Sequence, residues 1–364
     1  MLSNPFQELG LNKNPVILAP LAGVSDHPFR RVCQGLGADL TYVEMISATA
    51  LCYNSPKTID MLVRHPDEPI LGVQVTSRNA EEMGRAAEFL DSYSFETLDI
   101  NMGCPVKKVV KSGCGSAILK DPERVYQTTL AAVKNFSRPV SVKIRLGWDH
   151  SSVNWKEVAE AAQSAGARWL TVHGRTRSDS YGDPVNLEAI AQLKQSVQIP
   201  VIGNGNLFSA SDAKFFYEKT NVDGLMVSRG ALGNPWVFRD IKNGVKPVNA
   251  DEWIRVITDH VTWQKEAYGD TGVGSVCMRK HVLWYVSGWP DARKIREKIN
   301  TVDSLDGVRA LLAEYFEHLK SCDFTHRFEN INLSQSGERF LWDPKFDMDR
   351  KLDRGVGDDC LVQD

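Results

Sequence analysis

The chain has 364 residues, 42% hydrophobic and 24% charged, with a formal net charge of −3. These are ordinary globular values; they exclude a fibrous or low-complexity chain and fit two domains, or one large α/β barrel with an appendage. No apolar run is long enough to span a bilayer, and the opening MLSNPFQELGLNKN has no signal-peptide pattern. The seven cysteines (33, 52, 104, 114, 277, 322 and 360) are scattered and form no C-x-x-C pair. This argues against a disulfide framework and against a zinc site, so no metal is expected, and a reducing cytoplasm is.

In chain order, short β-branched runs alternate with helical stretches. The candidate strands are 16–19, 40–44, 70–75, 97–101, 140–144, 169–173, 200–203 and 224–228. Asp121-Pro122 reads as a helix N-cap followed by proline at the first helical position, and Ser151-Ser152 and Ser209 are candidate caps of later helices. Eight such units predict an α/β fold, a (β/α)8 TIM barrel over residues 1–243. An open doubly wound sheet is the runner-up, but it calls for an early G-x-G-x-x-G turn, which is absent.

A barrel carries its active groups where the strands end. Those positions are Pro20, Glu44, Gln74, Asn101, Lys143, His173, Asn204 and Ser228, nearly all able to hydrogen-bond. The strand at 97–101 runs into Met102-Gly103-Cys104-Pro105, a turn by backbone logic. Asn101 is therefore expected at a strand tip with Cys104 on a loop above it, and Gly113 and Gly115 are expected to let that loop move. A buried structural cysteine is the competing reading. In the last two barrel loops, Gly203-Asn204-Gly205-Asn206 and Ser228-Arg229-Gly230 predict a phosphate site, with glycine backbone N–H groups, a helix start at Gly233-Asn234-Pro235, and Arg229 to pair with the anion.

Residues 242–247 read as a linker. From about 250 to 322 the apolar spacing is helical, predicting a small C-terminal helical domain (244–322) that leans on the barrel. Residues 276–299 hold six basic side chains against two acidic ones. The 323–364 stretch is polar and acidic and is expected to be partly disordered.

APLAGVSDHPFR, VQVTS, LDINMGCPVKKVVKSGCGSAIL, SVKIRLGW, LTVHGRTR, VIGNGN and LMVSRGALGNPW together resemble the tRNA-dihydrouridine synthase family, most closely its bacterial branches. The resemblance implies an oxidoreductase that binds FMN and reduces uridines of tRNA to 5,6-dihydrouridine with NADPH as electron source. Carried onto this chain, the FMN contacts are Pro20, Leu21, Ala22, Gln74, Lys143, His173, Asn204, Gly205, Asn206, Ser228 and Arg229. The catalytic acid is Cys104. Leu21 stands where methionine is common, and Ser228 where glycine is common; Ser228 still offers a backbone N–H and a hydroxyl.

The residue types suit this chemistry. A thiol of ordinary pKa, about 8.5, is mostly protonated at neutral pH and can supply a proton. Lys143 ends a strand where negative charge would gather on a reduced flavin, and Arg145 follows on the same strand face. Asn101, Arg145 and His173 are candidates for holding the uracil and the flavin edge. A uridine must leave the stack to reach a barrel mouth, so base flipping and phosphate contacts are expected. Arg279, Lys280, Arg293, Lys294 and Arg296 are the candidate phosphate contacts, with Arg175 and Arg177 at the rim. Trp284, Tyr285 and Trp289 could stack on RNA, although bundle core is expected for at least two. A monomer is expected. The alternatives are an FMN barrel acting on a free small molecule of dihydropyrimidine or quinone type, and a non-catalytic RNA-binding barrel.

Overall fold

The computed structural model describes residues 4–320, so the tail expected at 323–364 lies outside the described residues. Nine strands form one parallel sheet: β1 (Val16–Leu18), β2 (Thr41–Tyr42), β3 (Ile46–Ser47), β4 (Leu71–Thr76), β5 (Thr97–Asn101), β6 (Val140–Arg145), β7 (Trp169–His173), β8 (Val201–Asn204) and β9 (Gly224–Val227). The order β1-β9-β8-β7-β6-β5-β4-β2 closes on itself: Leu18 N–H donates to Leu40 O at 3.0 Å and Asp39 N–H to Val16 O at 2.9 Å. This is the (β/α)8 barrel that the alternation predicts. The 40–44 run differs from expectation: it stops at Tyr42 and pairing with β4 resumes at Ile46–Ser47. Between the two pieces, the Glu44 carboxylate accepts the Gly23 N–H.

Two apolar layers follow from the period-2 alternation of each strand. Outward residues such as Val73, Ile100, Val142, Leu170 and Val227 pack under the helices. Inward residues Ile17, Tyr42, Trp169, Ile202 and Met226 fill the lower barrel with Phe6 from the N-terminal segment. Phe6 is fully buried, its ring 5.6 Å from that of Trp169. Asn4 caps its short helix, Pro5–Glu8. Above this plug the inward positions turn polar, and that change of chemistry makes the mouth.

Local caps place the helices. Asp121 accepts from the Glu123 and Arg124 N–H groups at the start of Pro122–Asn135, and Ser209 caps Ala210–Thr220. Ser151 and Ser152 do not cap the next helix. Both hydroxyls donate to Asp149 in a turn, and Trp155–Ser164 starts after Asn154. Arg30, on His27–Gly35, is buried against Glu68 by two hydrogen bonds of 2.6 and 3.0 Å.

Beyond Gly244, the helices Ala250–Tyr268, Gly272–Tyr285, Ala292–Ile299 and Leu305–Lys320 share a second apolar core. Val32 and Trp236 of the barrel side belong to that core, so the helical region rests on the barrel wall. No helix among the described residues is long and apolar enough to cross a membrane.

Candidate active site

Strand register sets the ring of groups at the mouth. Asn101 lies opposite Lys143, Arg145 opposite His173, and His173 opposite Asn204. β6 persists through Arg145, so Lys143 and Arg145 share one face, as the spacing requires.

A chain of hydrogen bonds climbs from the barrel interior to Cys104. Ser141 Oγ donates to Asp99 Oδ1 at 2.6 Å, and Gln74 Nε2 donates to Asp99 Oδ2 at 2.7 Å. Asn101 Nδ2 donates to Gln74 Oε1 at 2.8 Å. Asn101 Oδ1 in turn accepts the N–H groups of Gly103 and Cys104 at 3.0 and 2.9 Å. The loop root is held from its other side as well. Arg145 Nε donates to Gly103 O at 2.9 Å, and Ser116 N–H and Oγ both donate to Cys104 O. Cys104 is thus half-buried at the mouth on a root fixed from several sides.

Electrostatics at the mouth are strongly one-sided. Burial, helped by Arg145, lowers the Lys143 pKa to about 8, against the pull of Asp99 and Cys104. Burial pushes the Asp99 carboxyl up despite its hydrogen bonds. Burial and the charges of Arg145, Lys143, Arg175 and Arg229 drive His173 well below the usual imidazole range, so it is neutral. Arg175 Nη1 lies 3.1 Å from His173 Nε2. A guanidinium can only donate, so Nε2 accepts and the ring proton belongs on Nδ1.

The two final loops meet through side chains. Asn204 Nδ2 donates to Met226 O at 2.7 Å and to Ser228 Oγ at 3.2 Å. Asn206 Oδ1 accepts from Arg175 at 3.1 Å and from Arg229 at 3.5 Å. The Arg229 guanidinium stacks 4.6 Å from the Tyr181 ring. Backbone approach is tight: a Cβ on Gly230 would lie 1.9 Å from Leu207 O, and Gly205 has φ +131°. Pro20 and Leu21 are half-buried at the end of β1, with Ala22 exposed beside them.

A phosphate-bearing flavin fits this donor set. Arg145, Arg175 and Arg229 spend their hydrogen bonds on backbone carbonyls, His173 and Asn206, and not on carboxylates. Their positive charge is left for an anion.

Other expectations are revised. Arg175 is 1% exposed and cannot serve at an RNA-facing rim; it braces the loops of β7 and β8. Arg177 is half-buried and stacks on Trp148 at 4.5 Å. Arg279 is half-buried and donates Nε to Val302 O at 2.9 Å, whereas Lys280 is exposed and its Nζ reaches Gly23 O at 3.3 Å. Arg293, Lys294 and Arg296 are exposed. Tyr285 and Trp289 are buried in the helical core, and Trp284 is half-buried, packed against the barrel. Asp99 and Ser141 carry no sign in the sequence beyond their place in strands, yet the register sets them side by side. Lys107, Lys108 and Lys111, exposed just beyond Cys104, went unweighed although LDINMGCPVKK contains two of them.

Residues 17–320 match the model of the dihydrouridine synthase (Dus) family. The chain belongs to this family. It is 38% identical over 296 residues to the tRNA-dihydrouridine synthase B of Pasteurella multocida, covering 80% of this chain and 89% of that one. It is 37% identical over 321 residues to the tRNA-dihydrouridine synthase B of Pseudomonas putida, covering 85% and 95%. Among solved structures, histamine dehydrogenase from Rhizobium sp. 4-9 shares the barrel fold, with a TM-score of 0.51 at 11% identity. That likeness covers 69% of this chain and 49% of the other, about half its length. The Dus match makes the chain an oxidoreductase of that family.

Proposed function

We propose that this Dus-family chain reduces uridines of tRNA to 5,6-dihydrouridine, with FMN as the bound cofactor and NADPH as its reductant. The observation that carries the reading is the hydrogen-bonded chain from Ser141 through Asp99, Gln74 and Asn101 to Cys104, ending in a cation-lined mouth.

Reduced FMN, when bound, would supply the hydride. Arg229, Ser228, Asn204 and the backbone of Gly205 and Asn206 would hold the phosphate end. Pro20, Leu21, Ala22, Gln74, Lys143 and His173 would hold the ring system. Lys143 places its ammonium where negative charge gathers in the reduced cofactor. Asn101, His173 and Arg145 orient the uracil; Arg145 also fixes the Gly103 carbonyl, so the substrate face and the thiol loop are set together. Cys104 holds at Sγ the proton delivered to the uracil ring. Lys280, with the exposed basic side chains of the 292–299 helix, attracts the tRNA backbone.

The test is purification and substrate mapping. The expected protein is yellow, bleaches with NADPH, and restores dihydrouridine to tRNA from cells lacking the gene. A colourless protein that takes up no FMN, or unmodified tRNA after incubation with the reduced holoprotein, would overturn the reading.

A further inference from the structure

A second cluster of chemistry-bearing side chains lies where the helical region meets the barrel. Asp26 caps the His27–Gly35 helix and belongs to the barrel side. His260 comes from Ala250–Tyr268 and His281 from Gly272–Tyr285. One ligand atom from each lies within 4.8 Å of the other two. The two imidazoles are 0% and 2% exposed, and Asp26 is 9% exposed.

The hydrogen bonding of this cluster is incomplete in a specific way. His260 Nδ1 meets the Tyr285 hydroxyl at 3.1 Å, yet its Nε2 is buried with no partner. His281 hydrogen-bonds the Val24 backbone, yet its Nδ1 is buried with no partner. Each ring thus has an outer contact at one nitrogen and leaves the other unsatisfied. That is how metal-bound histidines are oriented, with the distal N–H donated to an outer acceptor and the lone pair facing the ion. Gln264, one helical turn from His260, donates Nε2 to Asp26 Oδ2 at 3.1 Å, while its own Oε1 is buried with no partner. Two imidazole nitrogens and a carboxylate make a mixed nitrogen–oxygen set from three elements, with the Gln264 amide beside the carboxylate. Leaving buried polar atoms unpaired is costly, and a cation bound between Asp26, His260 and His281 would satisfy the two imidazole nitrogens.

We propose that Asp26, His260 and His281, with Gln264 as a further oxygen donor, form a binding site for one divalent transition-metal ion, of which Zn2+ fits the donor set best. The ion staples the helical region to the N-cap of a barrel helix. Its role is structural, because the cluster is buried and formed by residues other than those at the mouth. The inference stands apart from the proposed reaction: metal content is measured whether or not uridine is reduced.

The experiment uses the full chain, purified without a metal-affinity tag in chelator-free buffer. Elemental analysis is expected to find close to one equivalent of zinc per chain after desalting. Stripping with a strong chelator should lower Tm by several degrees, and stoichiometric Zn2+ should restore it. Asp26→Asn keeps a good N-cap residue and removes the charge; it is expected to fold, keep its flavin and lose at least tenfold in zinc affinity. His260→Gln is the second variant, with the same loss expected. A native protein that carries less than a tenth of an equivalent, with a Tm unmoved by added Zn2+, overturns the proposal. So does zinc retained undiminished by both variants, which would place the ion elsewhere.

Discussion

The Cys104 backbone N–H donates to Asn101 Oδ1 at 2.9 Å, so the residue that ends β5 also fixes the height of the thiol loop. The two residues should fail differently. Cys104→Ala is expected to cut dihydrouridine formation by about 10² to 10⁴, with FMN still bound and still reduced by NADPH. Asn101→Ala is expected to lower turnover by roughly 10² through misplacement. Single-turnover assays on tRNA with pre-reduced enzyme separate the two from any fault in reduction. Wild-type turnover in Cys104→Ala would remove the proton donor.

Lys143 gives a pH signature. Its pKa falls from 10.5 to about 8 on folding, so between those values the unfolded chain binds more protons than the native one. Stability of the apo-protein therefore rises with pH across that window through this group. Affinity for the anionic cofactor moves the opposite way and should weaken as pH climbs through about 8, because the ammonium is lost. Titrating FMN binding to apo-protein from pH 6 to 10 checks the sign. Lys143→Arg should abolish the inflection.

Gly230 has no room for a methyl group, since a Cβ there would lie 1.9 Å from Leu207 O. Gly230→Ala is expected to cost on the order of 2–3 kcal/mol in the apo-protein. It is also expected to empty the cofactor site, because the same turn is proposed to hold the phosphate. Denaturant unfolding and the flavin absorbance of the purified variant read the two effects.

Arg279 and Lys280 are neighbours with different work. Lys280→Ala is expected to raise KM for tRNA several-fold and to reduce the salt dependence of binding, leaving NADPH oxidation by the enzyme unchanged. Arg279→Ala is expected to lower Tm, since Nε is committed to Val302 O at 2.9 Å. A large tRNA KM effect in Arg279→Ala with normal Tm would reverse this assignment.

The Arg30–Glu68 pair is bidentate and almost fully buried, at 2.6 and 3.0 Å. Glu68→Ala strands a guanidinium in the interior and is expected to cost about 3–5 kcal/mol. Urea unfolding measures it; a loss below about 1 kcal/mol would mean that water reaches the site.

The barrel was legible because each strand is a short β-branched run and each helix has helical spacing. The mouth was legible because its polar residues follow those runs. Asp99 was not, because a buried carboxylate in TLDIN looks like any strand residue until the register shows that it faces inward. Arg175 was misjudged because the loop after β7 folds back and presents the carbonyls of Tyr181 and Asp183 to its guanidinium. Local sequence carries no sign of that return. The same limit hid the meeting of Asp26 with His260 and His281: Asp26 lies more than 230 residues before either histidine, and the three come together only when the helical region docks on the barrel. Cysteine spacing tests for a local metal motif and says nothing about a site assembled this way.

Phe6, stoppered against Trp169, leaves the cylinder with one door. A reductant and a nucleobase that share this entrance are expected to take turns at it. Initial-rate plots at varied concentrations of both are then expected to run as parallel lines.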